Sequence, residues 1–123
     1  MKDGVYYSDY LQLDKILNEQ TLESDREGRP HAHDEMLFII IHQSYELWFK
    51  QVLYEVNSVM EIMAQPNIID NSPDMYVVHH RLKRVNTIMH TLIGKVDILE
   101  TMTALDFLDF RNMLRPASGF QSM

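Results

Sequence analysis

The sequence predicts an all-α protein, a helical bundle with two long antiparallel helices plus shorter helices at the N- and C-terminal ends. Three observations predict it. No useful length of chain alternates apolar and polar residues as a half-buried strand does. Met75, Val78, Leu82, Val85, Met89, Leu92, Val96 and Leu99 recur at alternating spacings of 3 and 4, the period of long helices packed at a shallow angle. The stretch QPNIIDNS, between the two longest helical patterns, is short enough to make those helices antiparallel neighbours.

The elements follow in chain order. Ser8 is a candidate N-cap for a short helix over Asp9 to Glu19. Glu23 to Glu35 is polar, holds Gly28 and Pro30, and reads as a loop. The first long helix runs from about Asp34 to Ala64, with Asp34 and Glu35 at its positive end. Ser72-Pro73 announces the second, an N-cap followed by proline in the first turn. That helix is expected to continue to about Thr101, with its 3–4 seam as bundle core. Thr103 and Asp106 form a capping-box pattern opening a shorter helix to about Leu114. RPASGFQSM then closes the chain as loop.

Composition narrows the function. A chain of 123 residues suits one small helical domain spanning 1–123. A net charge of −7 without any Lys/Arg cluster argues against nucleic acid as a partner. The absence of cysteine excludes disulfides, thiolate metal sites and a cysteine nucleophile. The longest apolar run, Met36 to Ile41, has six residues and is too short for a membrane span. MKDGVYYSDY lacks the apolar core of a signal peptide, so a cytoplasmic protein is expected.

That apolar run leads directly into His42. Taking Phe38 as zero on a helix advancing about 100° per residue, Tyr45, Phe49, Val52, Val56, Met60 and Met63 lie close to it, and His42 at about 40°. The imidazole is therefore expected inside the apolar stripe. It is either a core histidine bonded to a carbonyl or a neutral acceptor or base in a ligand pocket. Arg111 follows Phe107 by one turn and sits beside Phe110. It either joins an internal salt bridge or holds a carboxylate in two parallel hydrogen bonds. His31 with His33, and His79 with His80, lack partners at the usual helical metal-ligand spacings. No protein-only metal site is expected.

Four strings, YYSDYLQLDKIL, HDEMLFIIIHQSYELWFKQ, LETMTALDFLDFR and PASGFQS, resemble the tryptophan 2,3-dioxygenase family in order and spacing. The resemblance implies a helical haem enzyme, usually a homotetramer. Such an enzyme opens the indole ring of L-tryptophan with O2 to give N-formylkynurenine, the first step of tryptophan breakdown. It places His42 at the indole N–H and Phe38 to His42, through Ile39, Ile40 and Ile41, along the substrate. Phe107 becomes an aromatic wall where some members have tyrosine, and Arg111 the carboxylate clamp. Ser118 and Gly119 match a loop near the distal face of the haem (iron protoporphyrin IX). Tyr7, Tyr10 and Leu11 match a segment reaching into a neighbouring subunit's pocket. The family's axial haem histidine has no counterpart among the six histidines here. This chain is thus expected to supply the substrate side of a longer enzyme. The alternatives are one segment of an enzyme completed by another chain and a non-catalytic helical module of the same fold.

Overall fold

The computed structural model describes residues 4–26, 28–68, 72–115, 117 and 122. Among them the helices are α1 (Tyr7–Tyr10), α2 (Leu13–Ile16), α3 (Glu35–Met63), α4 (Pro73–Gly94), α5 (Val96–Leu99) and α6 (Ala104–Arg111), with 3-10 turns at Glu23–Asp25 and Asn112–Leu114. No described residue is in a strand, as the sequence predicts.

The long helices α3 and α4 form the frame. The Tyr45 hydroxyl donates to the Leu92 carbonyl at 2.5 Å, and Arg84 meets the Glu55 carboxylate at 2.8 Å. Residue numbers rise on one helix as they fall on the other, so the pair is antiparallel. The Ser72 side chain accepts the Met75 N–H at 3.2 Å, with Pro73 in the first turn. The N-cap read from the sequence is therefore formed.

The second long helix is bent rather than continuous. It pauses at Lys95, between α4 and α5. Gly94 lies at the break, where its backbone entropy makes it a poor helix former. There the Leu92 carbonyl takes the Tyr45 hydroxyl, a side-chain donor from α3. The seam is only half covered: Val78 and Leu92 are buried, but Leu82, Met89 and Val96 are exposed. Among the described residues α3 is the one long neighbour of α4, so only the side facing α3 is shielded.

The first helix departs from expectation. Instead of one element from Asp9 to Glu19 there are two single turns, and Tyr6 rather than Ser8 stands at the N-cap position of the first, without a side-chain cap bond. Gln12 adopts a left-handed conformation (φ 54°) between them, which no right-handed helix continues through. Neither turn buries a residue, so no packing opposes the break. Side chains hold the end of this segment to α3: Gln43 donates to the Glu19 carbonyl at 2.8 Å and accepts from Gln20 at 3.0 Å.

Beyond Glu35 in its first turn, the buried face of α3 is Ile41, Val52, Glu55 and Val59. Its centre is rotated about 60° from the stripe drawn through Phe38. Met60 and Met63, expected in that stripe, are exposed. Periodicity marks a broad apolar arc; the position of α4 decides which part is covered.

Candidate functional site

The site is built where the start of α3 meets α6. The capping box of α6 is formed: Asp106 N–H donates to the Thr103 hydroxyl at 3.1 Å, and Thr103 N–H to the Asp106 carboxylate at 3.0 Å. The Thr103 side-chain and backbone bonds hold the Asp106 carboxyl below its usual range. This fixed start directs Phe107 and Phe110 at Phe38. The Phe38 ring lies 5.7 Å from Phe107 and 5.4 Å from Phe110, and the Phe107 and Phe110 rings meet edge to face at 5.5 Å. Phe110 is completely buried, the anchor of the cluster.

His42 follows Phe38 by one turn, with ring centroids 4.3 Å apart. Its Nδ1 lies 2.7 Å from the Phe38 carbonyl oxygen. A carbonyl only accepts, so Nδ1 carries the proton and donates. In the neutral ring Nε2 is then a lone-pair acceptor, and it has no hydrogen-bond partner among the described residues. The expectation that His42 sits within the covered stripe is corrected: the residue is exposed. The rotated buried face leaves it on the rim rather than under α4.

Beside it opens a cleft of about 250 Å³ lined by Ile41, His42, Tyr45, Phe49, Val96 and Leu99, with Glu46 and Ser122 as further polar lining. The Ser122 hydroxyl donates to the Glu46 carboxylate at 2.5 Å. A second cleft of about 300 Å³ is lined by Phe38, Leu99, Met102, Thr103, Ala104 and Phe107. The two share Leu99 and flank the Phe38–His42 pair.

Of the residues expected around the substrate, the structure gathers Phe38, Ile41, His42 and Phe107 at these clefts. Ile39 and Ile40 line neither, and Ile40 faces outward. Arg111 ends α6 one turn after Phe107, exposed and without an ion pair among the described residues. The internal salt bridge left open by the sequence is therefore not observed there. Tyr7, Tyr10 and Leu11 are exposed on α1 and its end and line neither cleft. Ser118 and Gly119 lie outside the described residues.

Two carboxylates escaped the sequence reading. Glu35 is fully buried and accepts the Glu23 and Ser24 N–H groups at 2.7 and 2.8 Å. Glu55 is buried and paired with half-exposed Arg84. A signal existed for Glu55: it stands in 3–4 register between Val52 and Val59, a core position for a charge.

Haem needs an axial donor facing an apolar wall. His31 is tied to Asp25, His80 lies beside Arg84, and His33, His79 and His90 are exposed. His42 lines a largely apolar cleft, with Nδ1 committed to the Phe38 carbonyl, and His80 lines a separate cleft with Lys83, Arg84, Thr87 and Ile88. No group of three or more metal-ligating side chains exists among the described residues. Beyond the His42 Nε2 lone pair, the described residues offer haem apolar walls and no further donor set. No helix of the described residues is long and apolar enough to cross a membrane.

Fold and site together define an all-helical protein with an aromatic cleft, an imidazole on its rim and a guanidinium one turn from its wall. The family model described as tryptophan 2,3-dioxygenase matches residues 1–123. The tryptophan 2,3-dioxygenase of Bdellovibrio bacteriovorus is 54% identical over 96% of this chain and 32% of its own length. That of Dictyostelium discoideum is 53% identical over 98% of this chain and 29% of its own. The rat enzyme is 54% identical over 99% of this chain and 30% of its own. The chain belongs to the tryptophan 2,3-dioxygenase family, and it spans about a third of the length of these curated relatives.

Proposed function

We propose that this chain forms the substrate side of a haem-dependent dioxygenase pocket that opens the indole ring of L-tryptophan with O2, giving N-formylkynurenine. The observation that carries the reading is the His42 Nδ1 bond to the Phe38 carbonyl. It fixes the tautomer and presents Nε2 as an acceptor. The indole N–H is donor-only, so the two groups are matched. Phe38 and Phe107 supply the aromatic walls, with Ile41 beside His42, while Ile39 and Ile40 belong to the same stretch without lining either cleft. Phe107 has no hydroxyl to offer. Arg111 receives the substrate carboxylate in a forked pair of hydrogen bonds.

With His42 engaged by substrate, the axial haem donor belongs to the length of the family that this chain does not cover. Ser118 and Gly119 are assigned to the distal side of the haem. Tyr7, Tyr10 and Leu11, exposed here, are assigned to a neighbouring subunit's pocket in a homotetramer in the cytoplasm. A purely structural module has no physical need for both an imidazole nitrogen and an arginine left without partners among the described residues beside aromatics.

The test compares L-tryptophan with its 1-methyl analogue, which lacks the indole N–H, in the haem-loaded enzyme completed to the family's length. One neutral hydrogen bond corresponds to about a fivefold preference for the N–H substrate. His42→Ala is expected to abolish that preference. An unchanged preference in His42→Ala refutes the assignment. Arg111→Ala is expected to raise KM by tenfold or more, since a charged hydrogen bond contributes about 1.5–3 kcal/mol. Arg111→Lys recovers only part of the loss.

A further inference from the structure

Glu35 is the least expected group in the molecule. It is an acid with no exposed surface, and no cation lies within salt-bridge reach of it among the described residues. A buried carboxylate is tolerated only where hydrogen bonds replace its water. Here they come from the backbone of the loop before α3. Oε2 accepts the Glu23 N–H at 2.7 Å and Oε1 the Ser24 N–H at 2.8 Å. Ser24, also fully buried, accepts the Ala32 N–H on its hydroxyl at 3.1 Å, and the Ala32 carbonyl accepts the Glu35 N–H at 3.2 Å. The loop is thus closed on the first turn of α3, where the helix dipole also favours a negative charge.

The clip does not end at the loop. The turn it holds, Glu23–Asp25, packs against the turn Asn112–Leu114. Arg111 is the residue at which α6 passes into that second turn. On its other side stands Phe110, buried against Phe38. The backbone of Arg111 is therefore held from two directions. Both lead back to the start of α3, one through Phe38 and one through Glu35.

We propose that Glu35 is a positioning residue for Arg111, setting the carboxylate-binding end of the pocket through the 23–25 and 112–114 turns. The proposal rests on the reading of Arg111 as the carboxylate clamp. A salt-bridged or apolar residue at position 35 could fill the space, but only a carboxylate accepts two parallel backbone N–H donors at once. Glu35→Gln keeps the shape and places an amide NH2 against one of those donors.

The first test uses the 123-residue chain and amide hydrogen exchange. In Glu35→Gln the Glu23, Ser24 and Asn112–Leu114 amides are expected to exchange about tenfold faster, the factor for about 1.4 kcal/mol. The amides of Val52, Val59 and Val78 are expected to stay within about twofold. Unchanged exchange at 112–114 overturns the proposal. If Glu35→Gln loosens every helix, Ser24→Ala, which removes only the bond to Ala32, is read by the same comparison.

The second test uses the completed holoenzyme and two ligands, L-tryptophan and tryptamine, which keeps the indole and ammonium but has no carboxylate. Glu35→Gln is expected to raise KM for L-tryptophan about tenfold, leaving kcat within about threefold and tryptamine affinity unchanged. Equal weakening of both ligands, or of neither, overturns the proposal. Arg111→Ala separates the two readings. If it spares the preference for L-tryptophan over tryptamine, the clamp assignment falls. If it removes that preference while Glu35→Gln does not, the positioning role alone falls.

Discussion

Replacing Phe110 with alanine tests whether the junction of α3 and α6 is the true core of this fold. Among the described residues Phe110 is the one large apolar side chain with no exposed surface. It contacts Phe38 at 5.4 Å and Phe107 at 5.5 Å between ring centroids. Removing a fully buried phenylalanine costs about 3–5 kcal/mol, counting lost transfer energy and the cavity left behind. The two edge-on ring contacts are part of that figure, at about 0.5–1.5 kcal/mol each. A native domain is stable by only about 5–15 kcal/mol, so the variant is expected to lie near the edge of folding. Its thermal midpoint should fall by more than about 10 °C at roughly 4 °C per kcal/mol. Phe110→Leu keeps most of the volume and should lose about 1–2 kcal/mol. Leu105 and Leu108, exposed on the same helix, serve as controls, and alanine there should stay within about 0.5 kcal/mol. The assay is urea unfolding followed by circular dichroism, with the slope compared to confirm a common transition. A Phe110→Ala variant within about 1 kcal/mol of the parent would refute the placement of the core.

Further expectations follow from the same contacts. Arg84→Met strips the cation from buried Glu55 and should destabilise the chain by roughly 2–4 kcal/mol, below the usual loss for a broken buried pair because Arg84 is half exposed. Glu55→Gln should be milder, since no buried charge remains, and urea midpoints of both variants decide the order. Tyr45→Phe removes the hydroxyl bonded to the Leu92 carbonyl and should lose about 0.5–1.5 kcal/mol, with faster amide exchange confined to the end of α4 and α5. Asp106 gives a pH dependence with a definite sign. Its carboxyl is held below the ordinary value of 3.8, chiefly by the Thr103 hydroxyl. Its contribution is therefore complete above the unfolded value and is lost as pH falls through the lower folded value. Acid titration of the α6 amides should show this loss in the parent and not in Asp106→Asn.

Local rules account for what was legible early. Ser72-Pro73 and the Thr103–Asp106 box start helices wherever they occur, because they satisfy amides the helix itself leaves open. They marked α4 and α6, and long apolar periodicity marked α3. The candidate site was legible only as strings: the Phe38–His42 pair lies far in sequence from the Phe107–Arg111 pair, and the family resemblance grouped all four, whereas the geometry brings Phe38, His42 and Phe107 to the clefts.

What the sequence by itself determined, then, is the all-α class, the two long antiparallel helices, the caps at Ser72 and Thr103 and the family. Each depends on neighbours a few residues apart or on motif order. What only the tertiary structure decided is which arc of α3 is covered, where the second helix bends, and what Glu35 does. The covered arc leaves His42 on a rim with Nε2 unpartnered among the described residues, although the pattern placed it under apolar cover. The bend at Lys95 follows Gly94 and coincides with a Tyr45 hydroxyl arriving from another helix. Glu35 looks like an ordinary first-turn acid until the loop from Glu23 folds back and its amides replace the carboxylate's water. In each case the deciding partner is distant in the chain, and burial and hydrogen bonding are set by that partner's position.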